Sequence, residues 1–149
     1  MEIGKAIKQK KFESSQQKAM INILYTYNWL LDKTSTLFKD FDITQQQYNV
    51  LRILRGKSPQ SVCVGEIKEV MLDKNPDLTR LCDRLVLKGF IERELNPDNR
   101  RQVLIKITKK GLGLLAAIDP IMRKETKFIF NLNDSESEKL SDLLDKIRG

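Results

Sequence analysis

Three polar residues at helical spacing, Thr79, Arg80 and Arg84, carry the most specific chemistry in this chain of 149 residues. An arginine guanidinium is a planar fork of N–H donors that can pair with two acceptors on a guanine edge, and a threonine hydroxyl can contact a phosphate. Two further arginines, Arg100 and Arg101, follow in a turn-rich stretch. The combination predicts contacts to double-stranded DNA, and a solvated helix face is the alternative reading. Arg84 can also be structural, through a pair within the helix.

A helix must position the first three of these side chains. Asn75 is the expected N-cap, Pro76 suits the first turn because it lacks an N–H, and Gly89 can end the helix in a left-handed conformation. Apolar residues recur at the spacing of one helical stripe: Leu78, Leu81, Cys82 and Leu85. Polar residues fall on the opposite, solvent-facing side: Asp77, Thr79, Arg80, Asp83, Arg84 and Lys88.

A β-hairpin is expected directly after this helix. Residues 90–95 and 102–107 are strand-like, and the turn-forming stretch between them ends in Arg100 and Arg101. A helix about 10 to 12 Å wide fits the major groove of B-DNA. An arginine on a slender hairpin can reach the narrower minor groove beside it. The two elements together are the plan of a winged helix-turn-helix.

The same stretch resembles the MarR family of multiple-antibiotic-resistance-type transcription regulators. The resemblance rests on segments in this order: Leu78-Thr79-Arg80-Leu81, Asp83-Arg84-Leu85, Lys88-Gly89-Phe90-Ile91-Glu92-Arg93, Pro97-Asp98-Asn99-Arg100-Arg101, Ile107-Thr108-Lys109-Lys110-Gly111 and Leu114-Leu115. It extends over nearly the whole chain, from residue 12 to residue 148. The family's Asp-x-Arg wing pattern implies that Arg100 enters the minor groove and that Asp98 braces it. Two adjacent arginines that only improve solubility are the alternative.

Two shorter helices are predicted before the recognition helix. Thr44 and Gln47 have the spacing of a capping box, and Gly56 with Pro59 should end the helix that they start. Residues 61–64 are a short strand candidate, and residues 65–72 should form the second helix. Three residues of that helix are expected to face inward: Ile67, Val70 and Met71.

Long apolar helices flank this middle part. Residues 14–38 and the stretch after Thr108 have apolar residues at three- and four-residue steps, Pro120 need not end the second stretch, and Asn133 or Asp134 should start a last helix. The prediction is a mainly α single domain of six helices with one small β-hairpin, a winged helix-turn-helix with long N- and C-terminal helices. The resemblance implies that residues 12–41 and 108–148 interlock in a homodimer, while residues 43–107 form the DNA-binding lobe.

The charge distribution agrees with a polyanionic partner. The chain has 27 Lys and Arg against 20 Asp and Glu, a net charge of +7. Residues 74–110 contain ten basic and five acidic side chains, a net of +5, whereas residues 131–149 contain three basic and five acidic ones, a net of −2. The basic surplus therefore lies where DNA contact is predicted. The N-terminal lysines, in residues 1–11, suit either a frayed, solvated end or an arm on DNA phosphates.

Composition argues against an enzyme. Histidine is absent, which excludes histidine catalysis and histidine-ligated metal sites, and there is no glycine-rich phosphate loop or metal-ligand cluster. No cofactor is expected. No secretory signal is visible and no apolar run approaches the roughly 18 residues of a membrane span, so we expect a cytoplasmic protein. Cys63 and Cys82 should behave as small hydrophobic residues, with redox sensing as an outside alternative.

The sequence thus predicts a dimeric, sequence-specific DNA-binding regulator, with a repressor of a pseudo-palindromic operator as the expected form. The predicted DNA-contacting residues are Asn75, Asp77, Thr79, Arg80, Arg84, Asp98, Arg100 and Arg101. The resemblance also implies a small, often aromatic or phenolic, anionic effector between the lobes. Four aromatic residues either line such a pocket or are plain core: Tyr25, Trp29, Phe38 and Tyr48. A winged-helix module that binds an acidic protein through the same basic face is the alternative function.

Overall fold

The structure, a computed structural model, describes residues 1–99 and 102–149. Within those ranges the chain forms seven helices and three short strands. The helices are α1 (Ile3–Ala6), α2 (Ser15–Lys39), α3 (Gln45–Lys57), α4 (Val64–Val70), α5 (Leu78–Leu87), α6 (Lys109–Phe130) and α7 (Asp134–Arg148). The strands are β1 (Val62–Cys63), β2 (Ile91–Leu95) and β3 (Val103–Ile107). The predicted fold class, mainly α with a small hairpin and long terminal helices, is confirmed.

The three strands form one antiparallel sheet in the order β1-β3-β2. The hairpin of β2 and β3 pairs Ile91 with Ile107 at its base and Leu95 with Val103 near its tip. Both residues of the first pair are buried, whereas both of the second are exposed. The hairpin is therefore fixed in the core at its base and projects into solvent at its tip.

Residues 43–107, which we call the winged lobe, are held together by a hydrophobic core. Side chains from α3, α4, α5 and the sheet meet there, joined by one from α6: Leu51, Leu54, Ile67, Leu85, Ile91, Ile105 and Leu115. Gln47 is buried among them, because its side chain accepts a hydrogen bond from the Thr44 backbone N–H while Thr44 caps the Gln47 N–H. The predicted capping box is confirmed.

Helix α6 begins on the winged lobe and then leaves it. Thr108 caps the helix by accepting a hydrogen bond from the Gly111 N–H at 3.1 Å, as predicted. Ile118 is the last fully buried residue of the helix and packs with Phe38 of α2 and Ile43. Pro120 lies inside the helix without ending it, and Asn133 caps α7.

The N-terminus is ordered rather than frayed, while the alternative of an arm on DNA phosphates stays a prediction. Helix α1 packs against α2, Ile3 is buried, and Glu2 forms an ion pair with Lys18 at 3.6 Å. The frayed end predicted from the lysines is wrong, because a contact with a distant helix buries Ile3 and no local pattern reveals that contact. The prediction of six helices is short by this one.

The start of the recognition helix α5 lies two residues later than expected. Its N-cap is Asp77, whose carboxylate accepts a hydrogen bond from the Arg80 N–H at 3.2 Å. The Asn75 N–H instead donates to the Asp73 carboxylate at 3.0 Å in a local turn. A residue that precedes a proline disfavours helical geometry, and a carboxylate suits the positive end of a helix dipole. The predicted cap at Asn75 is therefore wrong.

One inward residue of the preceding helix was also misassigned. Ile67 and Met71 are buried as predicted, but 58% of the Val70 surface is exposed. Helix α4 ends at Val70, and the following Met71 is extended. Met71 therefore fills the inward position, and Val70 turns to solvent.

Candidate nucleic-acid interface

The outward face of α5 carries the predicted reading residues. Thr79, Arg80 and Arg84 are all exposed. The opposite stripe is buried: Leu78, Leu81, Cys82 and Leu85. The helix therefore has one face fixed in the core and one basic face free for a groove.

The N-terminal end of α5 presents the two other predicted contact residues of this region. Asn75 and Asp77 are exposed, and Asp77 serves as the helix cap. The loop before them is fastened to α3, because the Gln46 side-chain amide donates to the Asp73 carboxylate at 2.5 Å. The interface thus begins on a loop that two helices support.

The hairpin of β2 and β3 is the wing. Hydrogen bonds that were not predicted hold residues at its tip. The Asn96 side-chain amide donates to the Gln102 side chain at 2.7 Å, and the Asn96 carboxamide oxygen accepts from the Asp98 N–H at 2.9 Å. Asparagine at the start of a turn was the available signal. Asp98 is exposed, while Arg100 and Arg101 lie outside the described residues. The brace between Asp98 and Arg100 therefore stays a prediction.

An ion pair that was not predicted joins the recognition helix to the wing. The Asp83 Oδ1 lies 2.6 Å from the Arg93 Nη2, and the two side chains are 49% and 37% exposed. Asp83 stands between Arg80 and Arg84 along the helix, so the pair neutralises a carboxylate beside the two arginines. It also ties the angle of β2 to α5.

Lysines fix the other end of the recognition helix. Gly89 adopts a φ of 71°, the left-handed geometry predicted for the helix terminator. Lys88 forms an ion pair with Asp42 at 2.9 Å, and Lys110 donates to the Lys88 carbonyl at 2.8 Å. The Lys110 ammonium also lies 5.1 Å from the centre of the Phe90 ring. Lys88 and Lys110 therefore have structural partners besides any phosphate.

One of the two cysteines, Cys82, acts as the small hydrophobic residue that was predicted. Cys82 is buried in the core, and that burial raises the pKa of its thiol to about 11. A protonated thiol is a poor nucleophile at neutral pH. Cys63 is half-buried.

A basic cleft lies where α3 meets α6. Its volume is about 750 Å³, and its lining includes Tyr48, Arg52, Arg55, Asp119, Met122 and Arg123. Of the four aromatic residues considered for an effector pocket, Tyr48 lines this cleft, with its ring 4.7 Å from that of the buried Phe38. Tyr25 and Trp29 are partly exposed on α2.

Inside this cleft, Arg55 and Asp119 form a two-point ion pair. The Arg55 Nη1 and Nη2 donate to the two Asp119 carboxylate oxygens at 2.7 and 3.1 Å. The hydrogen bond with Arg55 holds the pKa of Asp119 below its ordinary value, and the charges of Arg52 and Arg123 act in the same direction. Asp119 is consequently ionised at neutral pH.

None of the helices in residues 1–99 and 102–149 combines the length and hydrophobicity of a bilayer-spanning helix.

Comparison with known proteins gives one consistent result. Residues 43–103 match the family model described as MarR family. The multiple antibiotic resistance protein MarR of Escherichia coli strain K12 is 34% identical over 110 residues, which cover 71% of this chain and 74% of that protein.

Solved structures agree with that match. A MarR-like transcription regulator from Bacillus cereus superposes with a TM-score of 0.79 at 25% identity, covering 89% of this chain and 95% of the other. A variant of MarR from Escherichia coli, solved in complex with operator DNA, gives a TM-score of 0.72 at 30% identity, covering 85% and 91% of the two chains.

Proposed function

Because the chain belongs to the MarR family of winged-helix transcription regulators, we propose that it acts as a homodimeric repressor of a pseudo-palindromic operator. Each subunit sets α5 in a major groove and its wing in the adjacent minor groove, with half-sites about 10 base pairs apart. The observation that carries this proposal is the exposed basic face of α5 beside a projecting hairpin. The proposal includes a cytoplasmic location and a role in binding rather than catalysis.

We assign the DNA contacts to two groups. Thr79, Arg80 and Arg84 contact base edges and phosphates in the major groove, while Asn75 and Asp77 border the same groove from the helix N-terminus. Arg100 and Arg101 enter or border the minor groove, with Asp98 as the brace. This assignment is supported by the exposure of every described member of the two groups.

The proposed dimer joins residues 12–41 and 108–148 of the two subunits, and residues 43–107 remain the DNA-binding lobe. Support comes from apolar side chains that the single chain leaves exposed on α2, α6 and α7: Met20, Leu24, Tyr27, Phe128, Leu143 and Ile147. Large exposed apolar patches mark interfaces, and a second copy of the chain would cover these.

Fluorescence anisotropy tests DNA binding directly. The purified protein is titrated with the DNA upstream of its own gene and with a scrambled duplex, at several salt concentrations. We expect tighter binding to the native fragment and a log-log salt slope of about −0.9 for each phosphate neutralised. Equal, weak binding to both duplexes would contradict the proposal.

Substitutions at the wing tip distinguish DNA binding from the alternative function, a module that binds an acidic protein. Replacing Arg100 and Arg101 with alanine should lower duplex affinity and reduce the salt slope by up to about 1.8 if both contact phosphate. A module for acidic proteins would keep its weak duplex affinity after this change. Family membership does not favour that alternative.

We further propose that a small organic anion regulates DNA binding from the cleft between α3 and α6. Arg52, Arg123 and Lys127 border the cleft and can attract a carboxylate, and the Tyr48 ring can stack on an aromatic ligand. A ligand that prefers one arrangement of the lobes shifts the population towards it. Salicylate and benzoate are suitable probes, and each should weaken binding to the native fragment.

The control for the effector is Arg123→Gln, which removes one cation from the cleft and leaves the α5 face unchanged. The variant should bind the native fragment as the unaltered protein does but need more of either probe for the same effect. Unchanged DNA affinity across a broad series of aromatic anions would count against an effector here, without affecting the DNA-binding proposal.

A further inference from the structure

Helix α6 is buried against the winged lobe only along its first half. Upstream of that point the helix is fixed to the lobe, since Gly111, Leu115 and Ile118 are buried. Beyond it the helix is largely exposed: Met122 still packs, partly buried, against the Ile118 cluster, but 37% of Ile121 and 83% of Phe128 are accessible. Asp119 is the first residue after the last buried contact. The outer half of α6 therefore leaves the lobe at residues 118–122, and contacts there can set its direction.

The same segment lacks one backbone hydrogen bond of a regular helix. Pro120 has no N–H, so the Ala116 carbonyl loses the hydrogen bond that position 120 would donate in a continuous helix. A proline inside a helix is also the commonest cause of a kink or a hinge. The helix is therefore easier to bend here than elsewhere along its length, and a contact beside Pro120 would restrain the angle of its outer half to the lobe.

The ion pair between Arg55 and Asp119 is placed to supply that restraint. Arg55 lies in the last turn of α3, whose Leu51 and Leu54 are buried in the lobe core. Two parallel hydrogen bonds, at 2.7 and 3.1 Å, fix both the distance and the orientation of the two planar groups. The side chains are only 30% and 25% exposed, so water competes less than it does at an open surface.

We infer that Arg55 and Asp119 are positioning residues for DNA binding, because their ion pair braces α6 beside Pro120 and fixes the angle between the winged lobe and the outer part of the chain. The consequence for the operator rests on the proposed dimer. The separation of two recognition helices depends on the angle of each lobe to the dimerising helices, so the brace selects the spacing between half-sites.

The brace itself can be measured without DNA. Nitroxide labels on Lys74→Cys in the lobe and Lys127→Cys in outer α6, in a Cys63→Ser background, report their distance by double electron–electron resonance. Both label positions are exposed. Dilution with unlabelled protein isolates the distance within one chain. Asp119→Asn should broaden or shift the distribution, whereas an unchanged distribution in the folded variant would overturn the inference.

The operator readout tests the consequence. Anisotropy is measured on the native duplex and on duplexes with one base pair inserted or removed between the half-sites. The unaltered protein should discriminate between these spacings, and Asp119→Asn should reduce the discrimination by at least about fivefold, the lower end of a typical coupling between sites. If the pair only stabilised the fold, Asp119→Asn would lower the melting temperature and leave the spacing preference unchanged.

Matched variants complete the design. Glu2→Gln removes the ion pair with Lys18, lies outside the proposed dimer segments and the winged lobe, and should change neither readout. Exchanging the charges, Arg55→Asp with Asp119→Arg, should restore part of the spacing preference. If Asp119→Asn does not fold, Arg55→Lys retains the charge but loses the two-point geometry and should shift both readouts in the same direction. If the unaltered protein showed no preference for the native duplex, the proposed function would be contradicted. The distance measurement, which needs no DNA, would then still test the brace.

Discussion

The Asp83 carboxylate lies 2.6 Å from the Arg93 guanidinium, and this pair connects the recognition helix to the first strand of the wing. Both side chains are more than a third exposed, so the pair should contribute at most about 1 kcal/mol to stability. Its larger effect should be on geometry, because it links the element proposed for the major groove to the one proposed for the minor groove.

The first prediction concerns this pair. Asp83→Asn removes a negative charge from the α5 face, and Arg93→Met removes a positive charge from the wing. General electrostatics would move the affinity for DNA in opposite directions. If the pair matters for geometry, both variants should lower the ratio of native to scrambled affinity, measured by anisotropy at one salt concentration. Opposite changes in that ratio would assign the effect to charge alone.

The second prediction concerns the close approach of α6 to the wing base. A Cβ added at Gly111 would overlap the Phe90 carbonyl oxygen and lie 2.8 Å from the Ile107 Cγ1. Because backbone cannot move aside easily, Gly111→Ala should lower the free energy of unfolding by about 2 to 3 kcal/mol. Urea denaturation monitored by circular dichroism measures this change.

Gly113 supplies the matched control for that substitution. It lies two residues further along the same helix, and nothing stands within 4 Å of an added Cβ. Gly113→Ala should raise the free energy of unfolding by about 0.5 to 1 kcal/mol, since alanine has the higher helix propensity. Equal effects at the two positions would mean that the contact with Phe90 is not tight.

Much of the fold follows from local signals in the sequence. The capping residues Thr44 and Thr108 were predicted from their side chains and the spacing of the apolar residues behind them, and both cap helices. Asn133 was one of two candidates with Asp134, and it is Asn133 that caps α7. The buried stripe of α5 followed from its period. These features are local, so a sequence pattern contains them.

The features that were missed depend on contacts between distant parts of the chain. Ile3 is buried because α1 meets α2, and Arg93 meets Asp83 only after the hairpin folds back. The cap at Asp77 instead of Asn75 depends on residues that are close in sequence. The Asp73 carboxylate accepts a hydrogen bond from the Asn75 N–H and so holds Asn75 in the turn before the helix. Asn75 and Asp77 both have side chains that can cap a helix, so the start of α5 is ambiguous until the turn before it is known.

The third prediction concerns base readout from α5. Arg80→Ala should weaken binding to the native fragment by about 1 to 3 kcal/mol and reduce its preference over scrambled DNA, if the guanidinium pairs with a base edge. The helix cap should survive, because Asp77 bonds to the backbone N–H of residue 80. Lys139→Ala on α7 removes the same charge outside the proposed interface and should preserve the preference. A uniform loss on both duplexes after Arg80→Ala would indicate a phosphate contact instead.

The last prediction concerns pH and the buried thiol of Cys82. Burial raises its pKa to about 11, whereas an exposed cysteine titrates near about 8.5. Between these values the unfolded chain releases the proton and the folded chain keeps it, so the free energy of unfolding falls as pH rises through this window. The loss should amount to about 3 kcal/mol.

Urea denaturation at a series of pH values isolates this contribution as a difference between variants. Cys82→Ala lacks the thiol, so its stability should decline less between about pH 8.5 and 11, although the lost packing lowers it at every pH. Cys63→Ala leaves Cys82 in place and should follow the unaltered protein. Parallel pH profiles for the unaltered protein and Cys82→Ala would mean that the core admits the thiolate or opens to solvent around it.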